Sequence, residues 1–507
     1  MKRQRLQRHG GRRSQQLVWV VPVLVGLLLW PAATQGDSGW QDWSGGGGAN
    51  QNWSFGPNWG DEGGNPFAPT AGDMVRFGQK ATNSASIVDE DFAISLLRYL
   101  GGGVHSMDVL VGRELQIVPN PVQVGYEANG GAAVTWTGAG LVTVSQALNV
   151  GSNHTASAAS ASSLILTGLT VDVGINNATS AMALGANYGT GGADGTLILG
   201  PGVHLNGGSP AVPMGSSAQA GLTIGYNDGQ AGSGAGVMDT SAGTANLHVE
   251  NFYAGNNKNG EAAAAGSASG TFTMGQNTTL TANRGYVARG NNTTGTMNMN
   301  GGLFAANTMS LGSGATFSFN SGRLAVNDFT TFGSVGTLEQ KGGTLAPGFD
   351  LMDRAQTSLA GTSILRGNYQ LDTPGTLEIE LFGTTPGTGY DQLRVLGSVD
   401  LAGSLDVKLG FESQIGELFT VLDNDLTDAV GGQFAGLTEM GTFDESYLDY
   451  TYEFRISYLG GTGNDVTLTV VNKTGSGTPV VIPAPGALLL GAFGVGLLPW
   501  LRRRRLL

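Results

Sequence analysis

Seven acids stand between residues 130 and 335: Asp172, Asp194, Asp228, Asp239, Glu250, Glu261 and Asp328. A polysaccharide lyase or hydrolase built on stacked β coils needs two or three carboxylates converging from adjacent coils, often beside a Lys or Arg. These seven are scattered without a local cluster, so the reading is non-enzymatic. His154, His204 and His248 are isolated and lack metal-ligand spacing. Gly460-Gly461-Thr462-Gly463-Asn464-Asp465 matches the start of a calcium-binding nonapeptide, in which glycines free backbone carbonyls and the aspartate supplies oxygen. It occurs once, whereas tandem copies complete each such site, and it reads as a turn before a strand. Asp423, Asp425 and Asp428 follow EF-hand spacing, but Asp428 occupies the obligatory glycine position and Phe434 the terminal glutamate position. No catalytic, cofactor or metal residue is assigned. The binding candidate is aromatic: Trp40, Trp43, Trp53 and Trp59 lie within twenty residues rich in Gly and Asn, and ring faces flanked by amides suit sugars. The competing reading makes the same rings a small core that closes the first coil.

The elements that would position these groups are short strands. Apolar-x-apolar triplets bounded by Gly or Asn recur, as in Leu164-Ile165-Leu166, Leu197-Ile198-Leu199, Phe272-Thr273-Met274 and Phe317-Ser318-Phe319. They repeat in two kinds. One begins Gly-Thr-apolar, at Gly195, Gly270, Gly295 and Gly336, with Ala315-Thr316-Phe317 a variant; starts from residue 270 onward are 25, 20 and 21 residues apart. The other reads apolar-x-apolar-Gly-x-Asn, over 148–153, 182–187, 222–227 and, more weakly, 252–257. Spacing near 20 residues with several strands per period predicts a parallel β-solenoid, each coil pairing with those above and below. The 85 glycines suit its corners, where the backbone turns through positive φ. The fold class is therefore all-β: a parallel β-solenoid (β-helix) with a C-terminal β-rich cap and a single C-terminal transmembrane or sorting helix.

The two ends read as addresses. Lys2, Arg3, Arg5, Arg8, Arg12 and Arg13 form a basic region before an apolar run at 17–30, and 32–36 offers small residues for cleavage. Gln15 and Gln16 sit where twin-arginine export wants apolar residues, which favours general secretion. At the other end, Pro483, Ala484 and Pro485 precede an apolar run that closes with Arg502, Arg503, Arg504 and Arg505. Residues 484–501 would span roughly 27 Å as a helix, just enough to cross a bilayer core. The four arginines stay cytoplasmic by the positive-inside rule. Setting these two segments aside leaves 15 basic residues against all 38 acids, a net charge of −23, which excludes nucleic acid as a partner. No cysteine is present, so no disulfide staples the exported part.

The tail resembles the PEP-CTERM sorting signal, with Ala484 where that family carries glutamate. The resemblance implies recognition by an exosortase-like processing enzyme at the inner membrane, after signal peptidase has removed the leader. It also implies delivery to the cell surface or extracellular matrix of a Gram-negative-type bacterium, in association with extracellular polysaccharide. The rest of the chain resembles the autotransporter-associated β-strand repeat proteins. Trp40, Trp43, Trp53, Asn58-Trp59, Pro69 and Gly72-Asp73-Met74-Val75-Arg76-Phe77 look like that group's opening pattern, and Gly343-Thr344-Leu345-Ala346-Pro347-Gly348 like its end-of-array signature. Tyr390-Asp391-Gln392-Leu393-Arg394-Val395 and the stretch from Ile456 to Val466 look like its terminal module. The alternating ten-residue strands of an outer-membrane barrel are not seen, so the sorting tail is expected in their place.

These readings divide the chain into a signal peptide (1–36), a Trp/Gly-rich N-terminal β module (37–128), solenoid repeats (129–350), a C-terminal β cap (351–471), a linker (472–480) and the sorting signal (481–507). The function expected is a non-enzymatic surface or matrix protein with no cofactor. The alternatives are a glycan-binding adhesin and, less favoured, a β-helix polysaccharide lyase or hydrolase.

Overall fold

The computed structural model describes residues 39–61, 64–78, 84–126, 131–154, 160–174, 182–208, 221–228, 231–258, 266–331, 336–348, 360–425 and 428–475. All belong to one compact unit, Gly36–Leu507. The segments read as signal peptide and sorting signal, and most of that read as linker, lie outside the described residues.

The described chain is all-β, with mostly parallel strands, an arrangement consistent with a β-solenoid. Many strands alternate buried with half-buried or exposed side chains and so give one side to a core, whereas Met182–Asn187 is buried throughout. Most strands pair with the third strand before and the third after, which sorts them into three faces. The first face carries Met74–Phe77, Leu96–Tyr99, Val122–Tyr126, Leu148–Asn153, Met182–Asn187 and Leu222–Asn227, all parallel. It continues through the C-terminal halves of the long strands Thr244–Asn257, Thr278–Arg289, Thr293–Leu311 and Ala315–Thr331, then through Thr362–Arg366, Gln392–Val395 and Leu418–Asn424. Identical offsets put like residues in file. Leu97, Val122, Leu148, Met182, Leu222 and Phe252 stack in register, each fully buried, so apolar area is removed from water along the column with no break.

Both repeat kinds occupy equivalent register positions. Gly195, Gly236, Gly270, Gly295 and Ala315 pair in succession on a second face, and the 148–153, 182–187, 222–227 and 252–257 segments pair residue for residue on the first. The expected coil length of about 20 residues needs correction. Successive register mates are 41, 34, 25 and 20 residues apart from Gly195 to Ala315, and coil length varies elsewhere too, from 22 residues between Met74 and Leu96 to 31 between Thr337 and Asn368. The member hidden from the motif is Gly236-Val237-Met238, in which valine replaces the threonine.

In the second repeat kind the glycine is held at positive φ: Gly151 +66°, Gly185 +64°, Gly225 +73° and Gly255 +78°. There the backbone kinks inward against the neighbouring face. A Cβ on Gly225 would lie 1.7 Å from the carbonyl oxygen of Ser269. The next coil places Ala288 at the equivalent register position, at φ +57°. The asparagine that ends each repeat is buried: Asn153, Asn187, Asn227 and Asn257. Their side-chain amides donate to loop carbonyls of Gly192, Gly189, Gly232 and Asn291 at 3.0–3.2 Å, satisfying backbone that the turn leaves unpaired.

Two boundaries differ from the sequence expectation. Parallel pairing begins where Trp40–Trp43 meets Met74–Phe77, inside the segment read as a separate N-terminal module, and persists to Gly432, well inside the segment read as a cap. Among the described strands, the antiparallel ladders lie at the two ends, apart from an isolated bridge between Leu381 and Tyr390. Trp40–Trp43 pairs antiparallel with Trp59–Asp61, and Leu418–Asn424 pairs antiparallel with Asp465–Thr474, which continues to Tyr450–Gly460 and Thr442–Tyr447. Asp465–Thr474 runs three residues into the segment read as linker.

Candidate functional site

Three of the four tryptophans offer no stacking face. Trp43, Trp53 and Trp59 are at most 2% exposed, with edge-to-face contacts of 4.9 Å between Trp43 and Trp59 and 5.1 Å between Trp53 and Trp59. Phe77 and Phe92 close the cluster, and the Trp59 indole N–H donates to the Trp53 carbonyl at 2.8 Å. In a glycine-rich stretch these rings supply the apolar area that covers the first coil. Trp40 is half-buried beneath two guanidinium groups, Arg76 at 4.8 Å and Arg98 at 4.9 Å from its ring centre. The glycan-stacking assignment to Trp43, Trp53 and Trp59 is therefore corrected to a core role.

The described acids go to separate neighbours. Asp172 accepts from Asn206 at 2.8 Å, Glu250 from Asn283 at 2.7 Å, and Asp328 binds Arg366 at 2.9 Å. Asp239 accepts from the Ser241 backbone N–H at 2.9 Å, and burial raises the pKa of Asp194. Glu261 lies outside the described residues, as do Pro483, Ala484, Pro485 and the four terminal arginines. His248 Nδ1 lies 2.7 Å from the Thr281 hydroxyl, and His154 stacks on Tyr188. No group of three or more metal-ligating side chains occurs among the described residues. Gly460 to Asp465 forms the hairpin turn between Tyr450–Gly460 and Asp465–Thr474, and Asp465 accepts from the backbone N–H of Asn424 and Thr462, which suits a turn. Asp423 pairs with Arg394 at 3.4 Å.

A different group of residues does converge. Immediately after each buried asparagine of the first face comes His154, Tyr188, Asp228 or Lys258, and the backbone keeps them in file. The N–H of Tyr188 donates to the Asn153 carbonyl at 2.7 Å, that of Asp228 to Asn187 at 2.9 Å, and that of Lys258 to Asn227 at 3.1 Å. The His154 and Tyr188 rings stack at 4.5 Å, Tyr188 and Tyr226 lie 5.4 Å apart, and the Tyr226 hydroxyl donates to Asp228 at 2.7 Å. Lys258 forms an ion pair with Asp228 at 2.9 Å. Tyr253 and Tyr286 are register mates whose rings stack at 5.2 Å and 9°, with the Arg289 guanidinium over both. Arg284 precedes Tyr286 by two residues and so points to the same side of its strand.

Burial raises the Tyr226 phenol, helped by its bond to Asp228, and burial also raises Tyr188 and Tyr253. All three therefore stay neutral hydroxyl donors. Burial works against the Asp228 carboxylate, but bonds from Tyr226 and Lys258 outweigh it and its pKa is lowered. The sequence hides this strip because its members come from two offsets around a variable coil. A compositional signal was present. Tyr188, Tyr226, Tyr253 and Tyr286 are all the tyrosines between residues 131 and 335, and Lys258, Arg284 and Arg289 are three of the four cations there.

No protein-family model, no curated protein and no solved structure matches this chain.

Proposed function

We propose that the protein is a non-enzymatic, exported cell-surface or extracellular-matrix β-solenoid, delivered by a signal peptide cut by signal peptidase. An exosortase-type enzyme sorts it through Pro483-Ala484-Pro485, the short apolar helix and Arg502 to Arg505, and it associates with exopolysaccharide. The observation that supports this reading is the parallel pairing that passes from coil to coil between Met74 and Gly432 among the described residues. A chain whose described residues repeat one backbone pattern over so many coils, with its acids held by separate neighbours, fits a scaffold whose task is geometric. Small residues at coil corners and a net charge of −23 outside the two targeting segments suit a soluble, displayed protein held without disulfides.

The test compares the full chain with one stopped at Thr478 in a host that carries an exosortase and an exopolysaccharide locus. The full chain is expected at the surface or in the matrix, shortened at both ends, and the stopped chain in a different fraction. Recovery of the full chain from the cytosol with both ends intact overturns the proposal.

A further inference from the structure

We infer that the strip formed by Tyr188, Tyr226, Tyr253, Tyr286, Arg284 and Arg289 is a binding site for a carboxylated, uronate-type polysaccharide chain. The inference rests on the preceding reading for the source of its ligand and goes beyond it by locating the contact.

The argument begins with charge. Between Arg113 and Lys341 the chain carries four cations, and Lys258, Arg284 and Arg289 stand together on two successive coils of one face, all exposed. Asp228 neutralises Lys258 in part, and the two guanidinium groups remain in excess of the acids in the strip. On a protein whose exported part is strongly acidic, this is a local reversal of sign. The fourth cation, Arg323, lines a shallow open groove of about 670 Å³ on another face, but its guanidinium binds Glu378 at 2.5 Å, which cancels its charge.

Geometry then selects the class of ligand. Tyr253 and Tyr286 stack along the direction in which coils pile up, so their flat faces are covered by each other and by Arg289; the Tyr253 hydroxyl accepts from Arg289 at 3.2 Å and keeps its own proton to donate, and the ring rims face outward for a partner. A row of hydroxyl donors and guanidinium forks recognises oxygen acceptors, and a guanidinium binds a carboxylate through two parallel bonds. Arg289 is partly answered by the two rings and the Tyr253 hydroxyl, but a neutral glycan would bring neither it nor Arg284 a counter-charge. Parallel pairing repeats the row about every 4.8 Å, which suits a linear polymer with regularly placed carboxylates better than a single small anion. Arg284 and Arg289 being exposed, the contact is one that salt weakens.

The experiment is affinity electrophoresis of the full chain in native gels, with EDTA present so that divalent cations cannot bridge two acidic surfaces. Gels contain polygalacturonate, fully methyl-esterified polygalacturonate or a single-stranded oligonucleotide. Polygalacturonate is expected to retard the protein, the esterified polymer much less, and the oligonucleotide not at all. The double change Arg284→Gln and Arg289→Gln, both at exposed side chains, is expected to weaken polygalacturonate binding by about tenfold or more. Tyr286→Ala should weaken it by about fivefold, and Lys341→Gln, outside the strip, should leave it unchanged. Unchanged melting temperature shows that each variant is folded; should Tyr286→Ala unfold, the arginine pair decides alone. Equal retardation by the esterified polymer, stronger retardation by the oligonucleotide, no retardation at all, or full binding by the double variant each overturns the inference. A protein found in the matrix that fails to bind refutes this site and leaves the proposed function standing; a binder recovered from the cytosol does the reverse.

Discussion

Placing an alanine at Gly225 asks whether the coils lie as close as their register implies. Gly225 sits at φ +73°, and the same left-handed backbone occurs at Gly48, φ +66°. A side chain there costs about 1–2 kcal/mol from local sterics alone. At Gly48 an added Cβ meets nothing within 4 Å, so Gly48→Ala should cost that amount and no more. At Gly225 the same atom would stand 1.7 Å from the Ser269 oxygen and 2.4 Å from its carbonyl carbon. Ser269 cannot retreat freely, because its strand is paired on both sides, with Ala235 and Thr294 as its register mates. Overpacking against fixed backbone adds about 1–3 kcal/mol, which brings Gly225→Ala to roughly 2–5 kcal/mol in total. Ala288, the alanine that already occupies this register position one coil beyond Gly255, supplies the reciprocal: Ala288→Gly should gain up to about 1 kcal/mol by relieving its φ of +57°. Guanidinium chloride unfolding followed by far-ultraviolet circular dichroism reads all three. If Gly225→Ala and Gly48→Ala come out equal within about 0.5 kcal/mol, the contact between faces is absent and the reasoning fails.

Two further outcomes follow from groups inside the stack. Asn187→Ala removes a buried amide that donates to the Gly189 carbonyl at 3.0 Å and accepts its N–H at 3.2 Å; it should cost about 2–4 kcal/mol by chemical denaturation, against less than about 1 kcal/mol for the exposed Asn246→Ala. Burial pushes the Asp391 carboxyl up to about 8 against the opposing donation of the Glu380 and Gly361 N–H groups, so the folded chain binds a proton that the unfolded chain has released between about pH 4 and pH 8. Stability should therefore fall as pH rises through that window, and a thermal midpoint that instead climbs from pH 5 to pH 8, in step with the same profile in Asp391→Asn, would contradict it.

Much of the architecture was legible because it depends on local chemistry. Apolar-x-apolar triplets ended by glycine have the period of a strand, and Leu148 to Asn153 announces its kinship with Met182 to Asn187 without any structure. Coil length was not legible, since connections of variable length separate the repeats, and one substituted member, Val237 for threonine, merged two coils into a single gap. For Trp43, Trp53 and Trp59 the core reading offered beside the glycan one is the one that holds, though their neighbourhood alone did not decide between the two. Gly and Asn surround them in sequence, and nothing in that neighbourhood reveals that Phe77 and Phe92, from later strands, turn their faces inward. The tyrosine strip escaped because Tyr226 and Tyr188 occupy different offsets from their asparagines and meet only after the chain has wound once around.

The direction of the strands on the first face has a further consequence. A parallel stack left bare at either extremity would template the next molecule, and copies would join head to tail without limit. Here the run opens with Trp59–Asp61 laid against Trp40–Trp43 in the opposite sense and closes with Asp465–Thr474 laid likewise against Leu418–Asn424. An incoming copy would find no co-directional edge on that face, so the first face carries its own terminators against runaway fibre growth.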